Sequence, residues 1–546
     1  MIRSLFLLAL SLLLGCQPAA TPDVDSAGAP ARTVPVVHRD GRRLLGPDGA
    51  TLHLRGVAFG NEIWSNAPIP PTTHHEERDY ARVRDMGMNA IRFYLNYTFF
   101  EDDARPYVYK QTGWAWLDQN VAWAKKHGIY LILNMHAPQG GYQSQGKGGA
   151  LWDVPENGKR LTALWAAIAR RYATEPAIAG YDLVNEPVTT QSIQQWQTLA
   201  QQLIDAIRAV DRNHLIVVER LNGIGSEWRD FNGENNLFLV RDDNVMYQFH
   251  TYEPFLYTHQ LFDWAKTGDG GRYPDPDQYS FPAQTSWYGT HTAPALTGGS
   301  TAWRYVESSP VRIADPKQKI AMPVCEAARL GAGTVFVDAV QVKEFDPNGQ
   351  FTRVVATSAA DDQTGWYFWA QNNVGNWRLA SEGYSNGKSI AVSGTTDNAN
   401  VGCWAQKFVP KQGYSYQVTG WLKGDNLPAT ASARLRLDFE TTDSPIYARD
   451  KPYMASVLQP FIDWGRKNNV PMFMGEFGAG APCFRQDKGG VQWVSDVLDI
   501  ALANDLHLTY HAYHEDSFGI YPGYGRLPVE TEGNGPLIGL FKAKLR

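Results

Sequence analysis

The chain has few of the residues that build metal centres and disulfide frameworks. Its 546 residues contain 4 cysteines, and no two of them form a CxxC pair. An HExxH motif and an acidic calcium-binding loop are also missing, so we predict neither a catalytic metal nor a cofactor. The net charge is −6 and no long basic run occurs, so we predict no nucleic-acid partner.

Long apolar runs are missing except near the N-terminus. Leu5–Leu14 is apolar and follows Arg3, but it is too short to span a bilayer comfortably. This pattern predicts an export signal. The run ends in LLGC at 13–16, which resembles the cleavage box of bacterial lipoproteins, and the resemblance implies a lipid on Cys16. The alternative is an ordinary secretory signal with a chance cysteine.

We therefore expect an exported lipoprotein, periplasmic or at the cell surface, anchored to the membrane through that lipid, and monomeric. Residues 1–16 would be the signal peptide, and 17–32, rich in Pro, Ala, Gly and Asp, a flexible tether. An exported setting permits one disulfide, for which Cys325 and Cys403 are the candidates, leaving Cys483 over.

The length exceeds one ordinary domain, and an apolar share of 43% provides for a large core. Apolar strands followed by amphipathic helical stretches recur along the chain. Eight strands alternating with helices predict an α/β fold, a closed parallel (β/α)8 TIM barrel. The candidate strands are Leu54–Gly60, Asn89–Leu95, Ile129–His136, Ile178–Glu186, His214–Leu221, Val245–Tyr252, Pro471–Phe477 and Leu506–Tyr513.

The sixth and seventh candidate strands are separated by a long segment of different character. Within it, short alternating runs such as GTVFVDAVQVKEF and YSYQVTGWLKG lie between Gly, Asn, Asp and Pro clusters, which is typical of a β-sandwich. We predict a catalytic barrel in two parts, 33–278 and 443–546. An all-β domain at 279–442 would be inserted between barrel strands six and seven.

Polar residues stand at or near the ends of most candidate strands. Such barrels carry their active sites at the carboxyl ends of the strands. A single buried histidine is usually a hydrogen-bonded core residue. Several polar side chains buried at separate places would, however, each cost free energy of folding. A shared solvated cleft avoids that cost. The strand ends in question carry Arg92, His136, Asn185-Glu186-Pro187, His250 with Tyr252, Glu476, and the run LTYHAYHE.

Two carboxylates at opposite sides of a barrel mouth suit hydrolysis of a glycosidic bond. One protonates the leaving oxygen, and the other attacks or stabilises the sugar cation. The segments DLVNEP, FHTYEPFLYTHQ and MFMGEFG occur in the order expected of glycoside hydrolase family 5, the cellulase-like family. The chain resembles that family over nearly all of its length outside the insert.

The resemblance implies that Glu186 is the acid/base and Glu476 the nucleophile. Tyr252 would orient Glu476, and Arg92 would help to keep it ionised. A neighbouring cation lowers the pKa of one carboxyl, while the other must stay protonated near neutral pH.

Three more residues take roles from the same resemblance. Asn185 would hydrogen-bond the sugar 2-hydroxyl, His250 would lie near Glu186 and tune its protonation, and His136 would line the floor of the site. The run GYQSQGKG at 141–148 nearly matches a phosphate-binding loop, but Gly148 replaces the required Ser or Thr. We interpret it as a loop over the cleft.

Strand eight departs from the family pattern. The family has a Trp there beneath the sugar to be cleaved, whereas Leu508 stands at the expected place in HLTYHAYHE. Tyr510, His511 or an aromatic side chain from another loop must then supply the sugar platform.

The insert also resembles a known family. SEGYSNGKSIAVSG, VPKQGYSYQVTGWLKGDN and GTVFVDAVQV resemble the jelly-roll carbohydrate-binding modules of families 4 and 9, in an order that implies circular permutation. It would form a wall of the substrate groove. Its sugar-stacking candidates, each of which could instead fill the sandwich core, are Trp287, Trp303, Trp366 and Trp369.

The sequence thus predicts a retaining hydrolase of a β-linked polysaccharide, with endo action on β-1,4-glucan as the leading hypothesis. Mannan, xyloglucan, β-1,3-glucan, glycolipid and exo action stay open within the class. A non-catalytic surface glycan-binding lipoprotein and a structural surface protein are the alternatives outside it.

Overall fold

The computed structural model describes residues 35–225, 227–228, 236–358, 366–371, 374–384, 387–394 and 400–546. The predicted signal peptide, tether and lipidated Cys16 lie outside the described residues. Within the described ranges, no helix combines the length and apolar character needed to cross a membrane.

Eight parallel strands close into a barrel, as predicted. Strand eight pairs with strand one, which completes the ring. Strands four and eight end sooner than predicted, and the residues after them belong to the cleft. In chain order, which we use to number barrel strands one to eight, they are Arg55–Phe59, Ala90–Asn96, Tyr130–Ala137, Ile178–Asp182, Leu215–Glu219, Val245–Thr251, Met472–Phe477 and His507–Tyr510.

Helices surround the barrel and bury one apolar face against it. Ile193–Arg208 is an example: Ser192 and Gln195 form a capping box at its start, and Trp196 and Leu203 are buried on its inner face. The α-helices of the described chain are Glu77–Asp85, Gln111–His127, Ala150–Asp153, Pro155–Tyr172, Ile193–Arg208, Phe255–Thr258, Lys451–Asn468, Gly490–Ala503 and Gly535–Leu545. Short 3-10 turns are Ile63–Ser65, Tyr97–Phe99, Ser144–Gly146, Asp263–Ala265, Ala481–Phe484, Gln486–Lys488 and Glu530–Glu532.

The two ends of the barrel interior differ in polarity. At the amino end, Val37 and Leu44 pack with Ile132, Met246 and Phe473 into a closed apolar cluster. At the carboxyl end the interior is polar and opens into a cleft. Small sheets accompany both ends: His38–Asp40, Arg43–Leu45 and Thr51–Leu52 form one, and Val188–Thr189, Gly223–Ile224 and Glu227–Trp228 form the other.

Two antiparallel sheets lie in the chain between barrel strands six and seven and share a separate apolar core. A two-stranded ribbon, Asp275–Ser280 with Tyr447–Arg449, forms their base. One sheet contains Ser286–Thr292, Leu296–Gly299, Ile320–Ala328, Tyr367–Ala370, Asn400–Trp404 and Leu427–Thr441. The other contains Arg304–Glu307, Val311–Arg312, Thr334–Phe345, Phe351–Ser358, Asn376–Ala380, Ser389–Ser393 and Ser415–Asp425.

The cysteines of the described chain are buried free thiols. Cys325 and Cys403 face each other in register on neighbouring strands. The predicted disulfide between them is nevertheless absent from the structure, which holds them as adjacent thiols. Cys483 accepts a hydrogen bond from Gln260 Nε2 at 3.3 Å.

The four tryptophans considered for sugar stacking have different surroundings. Trp366 belongs to the core between the sheets, so that candidate was wrong. Trp303 packs against the small buried cluster around Phe336, and Trp369 lies beneath Arg436. Trp287, with 65% of its surface exposed, is the most accessible of them.

Candidate active site

A cleft of about 910 Å³ opens at the carboxyl ends of the barrel strands. Glu186, His250 and Glu476 line it, together with His136 and His511. These residues follow or end strands three, four, six, seven and eight, so the parallel strands bring together side chains that lie hundreds of residues apart in the sequence.

Glu476 is held by three donors. Arg92 Nη1 donates to its Oε1 over 2.6 Å and Tyr94 Oη to the same oxygen over 2.7 Å. Tyr252 Oη donates to Oε2 over 2.6 Å. Burial alone would raise the pKa of Glu476, but His250, His511 and Arg92 lower it well below its usual range. The carboxylate is therefore ionised, and both of its oxygens point in fixed directions.

Arg92 is fully buried and links several strands. Besides Glu476, its Nε donates to Asp182 Oδ2 over 2.8 Å and its Nη2 to Asn185 Oδ1 over 2.8 Å. Burial disfavours the cation, but Asp182 and its other acidic neighbours raise the pKa of Arg92 well above its usual range. Arg92 therefore orients Asn185 as well as Glu476, and both were predicted site residues.

Glu186 follows strand four and faces the nucleophile candidate. Its Oε1 lies 3.0 Å from His250 Nδ1, as predicted, and Ser144 Oγ donates to its Oε2. Burial lowers the pKa of His250, but Glu219, Glu476 and Glu186 raise it above its ordinary value. A carboxylate oxygen of Glu186 lies within 4.8 Å of one of Glu476. The two carboxylates thus flank the same small space.

The residues at the end of strand eight show in part which side chain could supply the sugar platform in place of the missing Trp. Tyr510, one candidate platform, is buried and packs edge-on against Phe541 outside the barrel. That prediction was wrong, because side chains of a strand alternate between its two faces and Tyr510 points to the helices. His511 lines the cleft, and its Nδ1 lies at hydrogen-bond distance, 3.0 Å, from Tyr94 Oη.

His511 also lies 3.5 Å from Glu515 through its Nε2. Burial lowers the pKa of His511, but Glu515 and Glu476 raise it above its ordinary value. The other aromatic side chains that line the cleft are Trp64, Tyr142, Tyr252, Phe255, His259, Trp264 and Phe518.

Two loops contribute to the walls of the cleft. The loop at 141–148 contributes Tyr142, Ser144 and Lys147, so it covers the cleft as predicted. On the side of strand six the wall comes from the segment that leads toward the insert, including Phe255 and Trp264. Among the described residues, none of the lining side chains belongs to the two sheets. The prediction that the insert forms a wall of the groove was therefore wrong. The segment between strand six and the ribbon forms that wall instead.

Sequence reasoning missed four polar residues behind the cleft. Tyr94 follows Arg92 by two residues and therefore shares its strand face, and this spacing could have indicated that Tyr94 also points into the site. Asp182 stands inside the same apolar run as Asn185. Glu219 ends strand five in LIVVE, a charged strand end of the kind used for the other strands, and Gln248 precedes His250 by two residues on strand six.

Glu186, His250 and Glu476 each offer a ligand atom within 4.8 Å of the others, a spacing that could hold an ion. We assign none, because Arg92 already compensates Glu476 at 2.6 Å and an ion there would occupy the space between the two carboxylates.

Residues 46–298 match the family model described as Cellulase (glycosyl hydrolase family 5). This segment includes barrel strands one to six and Glu186, whereas Glu476 lies beyond it. Endoglucanase C of Acetivibrio thermocellus is 29% identical over 220 residues, which are 40% of this chain and 61% of that protein. Beta-xylosidase of Phanerodontia chrysosporium is 30% identical over 187 residues, 33% of this chain and 38% of that protein.

The chain thus spans about three fifths of the length of the first curated relatives that it matches. Among solved structures, endoglucanase Cel5A from the hyperthermophilic Thermotoga maritima is 14% identical and superposes with a TM-score of 0.47. That match covers 89% of this chain and 96% of the other.

Proposed function

We propose that this chain is a retaining β-glycoside hydrolase that cleaves a polysaccharide by double displacement. The family match and the curated relatives support glycoside hydrolase family 5. The observation that carries the proposal is the pair of carboxylates, Glu186 and Glu476, with oxygens within 4.8 Å of each other in one cleft. Retaining enzymes hold their two carboxyl groups about 5–5.5 Å apart, and inverting enzymes about 6.5–9.5 Å.

The nucleophile in this proposal is Glu476. Its carboxylate attacks the anomeric carbon, and the bond from that carbon to the leaving oxygen breaks, giving a covalent glycosyl ester. Arg92 and Tyr94 both donate hydrogen bonds to Oε1, whereas Tyr252 alone of the described residues donates to Oε2, which keeps a lone pair free for the attack. The short contact with Arg92 keeps the group ionised before attack.

The acid and later the base is Glu186. Its proton passes to the leaving oxygen in the first step. In the second step the Glu186 carboxylate takes a proton from water, whose oxygen attacks the anomeric carbon and releases Glu476. His250 Nδ1, 3.0 Å from Glu186 Oε1, donates a hydrogen bond to the ionised form between the two steps.

We infer that the substrate is a β-1,4-glucan cut internally. The name of one curated relative, Endoglucanase C, and the open cleft of about 910 Å³ support this choice. A second candidate is an exo-acting β-glycosidase, favoured by the likeness to a beta-xylosidase. Mannan, xyloglucan and β-1,3-glucan belong to the same reaction class.

A polysaccharide panel tests these alternatives. Release of reducing ends from carboxymethyl cellulose, glucomannan, xyloglucan and β-1,3-glucan identifies the substrate. A rapid fall in viscosity at low reducing-end release indicates endo action, and release of single sugars without that fall indicates exo action. Absence of turnover on every glycan, with glycan binding retained, would favour a non-catalytic binding protein.

We further propose that the two sheets between strands six and seven form a jelly-roll carbohydrate-binding module. Aromatic rings at the seven-stranded sheet support this: the exposed Tyr384, in the loop after Asn376–Ala380, stacks on the half-buried Trp421 with centroids 3.5 Å apart, and the exposed Tyr305 lies 5.5 Å from Trp421. Affinity electrophoresis of a Tyr305→Ala/Tyr384→Ala double variant should show lost retardation by the polysaccharide. Tyr367→Ala, an exposed ring of the other sheet, is the matched control.

We also propose that the protein is an exported lipoprotein anchored through Cys16. The LLGC run at 13–16 after an apolar stretch supports this. A Cys16→Ala variant should leave the membrane fraction and lose labelling by a fatty acid. Unchanged membrane association would overturn the anchor.

A further inference from the structure

Glu219 touches the acid/base candidate but has no part in the steps above. It is the last residue of strand five and is fully buried. Its Oε2 accepts a hydrogen bond from the backbone nitrogen of Glu186 over 2.9 Å. The same oxygen accepts a second bond from Gln248 Nε2, also over 2.9 Å.

The other carboxylate oxygen of Glu219, Oε1, faces His250, the histidine that lies beside the Glu186 carboxyl. Oε1 accepts no hydrogen bond from the described residues and lies 3.4 Å from His250 Nδ1. That nitrogen is the one placed 3.0 Å from Glu186 Oε1. Glu219 therefore contacts the backbone of Glu186 through one oxygen and the histidine beside its side chain through the other.

The backbone of Glu186 needs such support. Its φ is +43°, in the left-handed region that residues with a Cβ rarely adopt. This conformation turns the chain after strand four and directs the Glu186 carboxyl into the cleft. The bond from its amide to Glu219 fixes the orientation of the preceding peptide plane, so loss of the acceptor would leave the strained conformation with one restraint fewer.

A carboxylate is a costly choice for this position. Burial raises the pKa of Glu219 to about 7, even though His250 and Arg92 favour its ionised form. The charged and titratable groups that face it are Arg92, with Nη2 at 3.9 Å, His250, Glu186 and Asp182. A neutral side chain of the same shape would avoid the cost of burying charge, so stability alone does not account for Glu219.

We propose that Glu219 is a positioning residue, which holds Glu186 and His250 in the arrangement needed for acid catalysis. The proposal rests on the role of Glu186 in the function proposed above. Glu219 touches no substrate, and it acts only through the two residues that it contacts.

Two variants of the full chain separate the contacts. Glu219→Gln keeps an oxygen that can accept from the Glu186 amide but loses the attraction to His250. Glu219→Leu loses both contacts. We compare kcat/KM for two substrates. The leaving group of a cello-oligosaccharide is a poor one, whereas the dinitrophenolate of 2,4-dinitrophenyl cellobioside leaves without acid catalysis. Asp211→Asn is the control, because Asp211 is a buried carboxyl that precedes the same strand at its opposite end and bonds Tyr181 and His214.

For Glu219→Leu we expect a loss of about 100-fold on the oligosaccharide, the scale of a catalytic group displaced by about 1 Å. The dinitrophenyl substrate should lose less than about 5-fold, since it hardly needs the acid. Glu219→Gln should recover part of the oligosaccharide activity at an unchanged melting temperature. For Asp211→Asn, the ratio of the variant kcat/KM to the wild-type kcat/KM should be the same on both substrates.

Equal losses on both substrates in Glu219→Gln, or losses that follow the melting temperature, would overturn the positioning role while leaving the proposed function intact. If Glu219→Leu does not fold, the Glu219→Gln comparison decides alone. A wild-type protein that hydrolyses neither substrate would overturn the proposed function, and this inference with it.

Discussion

Arg92 and Glu476 lie on strands two and seven, which strands eight and one separate in the barrel, and their side chains meet with Nη1 and Oε1 2.6 Å apart. Both side chains are buried, so water screens this pair little. Asp182 shares the same guanidinium, which makes Arg92 the cation for a group of carboxylates.

Replacement of Arg92 by Met should therefore destabilise the protein strongly. The change keeps an extended side chain but deprives Glu476 and Asp182 of the guanidinium that they share. We expect a loss of about 3–5 kcal/mol in the free energy of unfolding at pH 7, measured by denaturant titration. Arg43→Met, which removes an exposed pair with Asp40, should cost less than about 1 kcal/mol. Similar losses in both variants would contradict the account.

Replacement of Glu186 by Ala should harm substrates in proportion to the basicity of their leaving groups. Acid catalysis contributes about 10²–10⁴-fold to bond cleavage. We expect kcat/KM on oligosaccharides to fall by that factor, whereas kcat/KM on dinitrophenyl cellobioside should fall far less. A plot of log kcat/KM against leaving-group pKa checks this, and an unchanged slope in the variant would contradict the role.

His507 should make the protein lose stability as the pH falls. Burial, with His53 and Arg55 adding to it, lowers the pKa of His507 to about 3 from an unfolded value of about 6.5. The unfolded chain therefore takes up a proton below pH 6.5 and the folded chain does not, so this contribution is complete above that pH and is lost toward pH 3.

A His507→Asn variant isolates this contribution. Asn can still accept the hydrogen bond from the Leu54 amide, which His507 Nδ1 accepts over 3.1 Å. Between pH 7 and pH 5 we expect the wild type to lose about 2 kcal/mol more than the variant in the free energy of unfolding. Between pH 7.5 and pH 8.5 the two should change in parallel. An equal loss at pH 5 would refute the prediction.

Removal of the insert should affect polymers more than small substrates. Ser280 and Tyr447 are paired residues of the basal ribbon, so a deletion of 281–446 can be closed there with a two-residue Asn-Gly turn. The insert has its own core, and the barrel should therefore still fold. We expect activity on dinitrophenyl cellobioside to be retained and hydrolysis of insoluble polysaccharide to fall. Unchanged polymer hydrolysis by a folded variant would show that the insert does not act in catalysis.

Barrel strands could be located from the sequence because strands buried on both faces read as continuous apolar runs. Their carboxyl ends then indicated Glu186 and Glu476, whose neighbours Arg92, Tyr252 and His250 lie where the family resemblance implied. These features depend on local sequence and on the strand order of one known architecture.

The remaining features depend on direction and packing, which the sequence does not specify. Tyr510 and His511 are adjacent, yet one faces the helices and the other the cleft, so an offset of one residue reverses the assignment. Glu219 was overlooked although its strand end is charged, because its role arises from contacts with Glu186 and His250 on neighbouring strands. Two sheets lie between barrel strands six and seven, where an all-β insert was expected. The point of entry did not reveal that, among the described residues, no side chain of these sheets lines the cleft.

The anomeric form of the first product tests the central claim most directly. Double displacement by Glu476 and Glu186 inverts the anomeric carbon twice, so a β-linked substrate must first yield a β-configured reducing end. We propose to follow hydrolysis of a cello-oligosaccharide by ¹H NMR within the first minutes, before mutarotation. The account predicts that the β-anomer signal appears first and the α-anomer signal grows later. Initial release of the α anomer would contradict it.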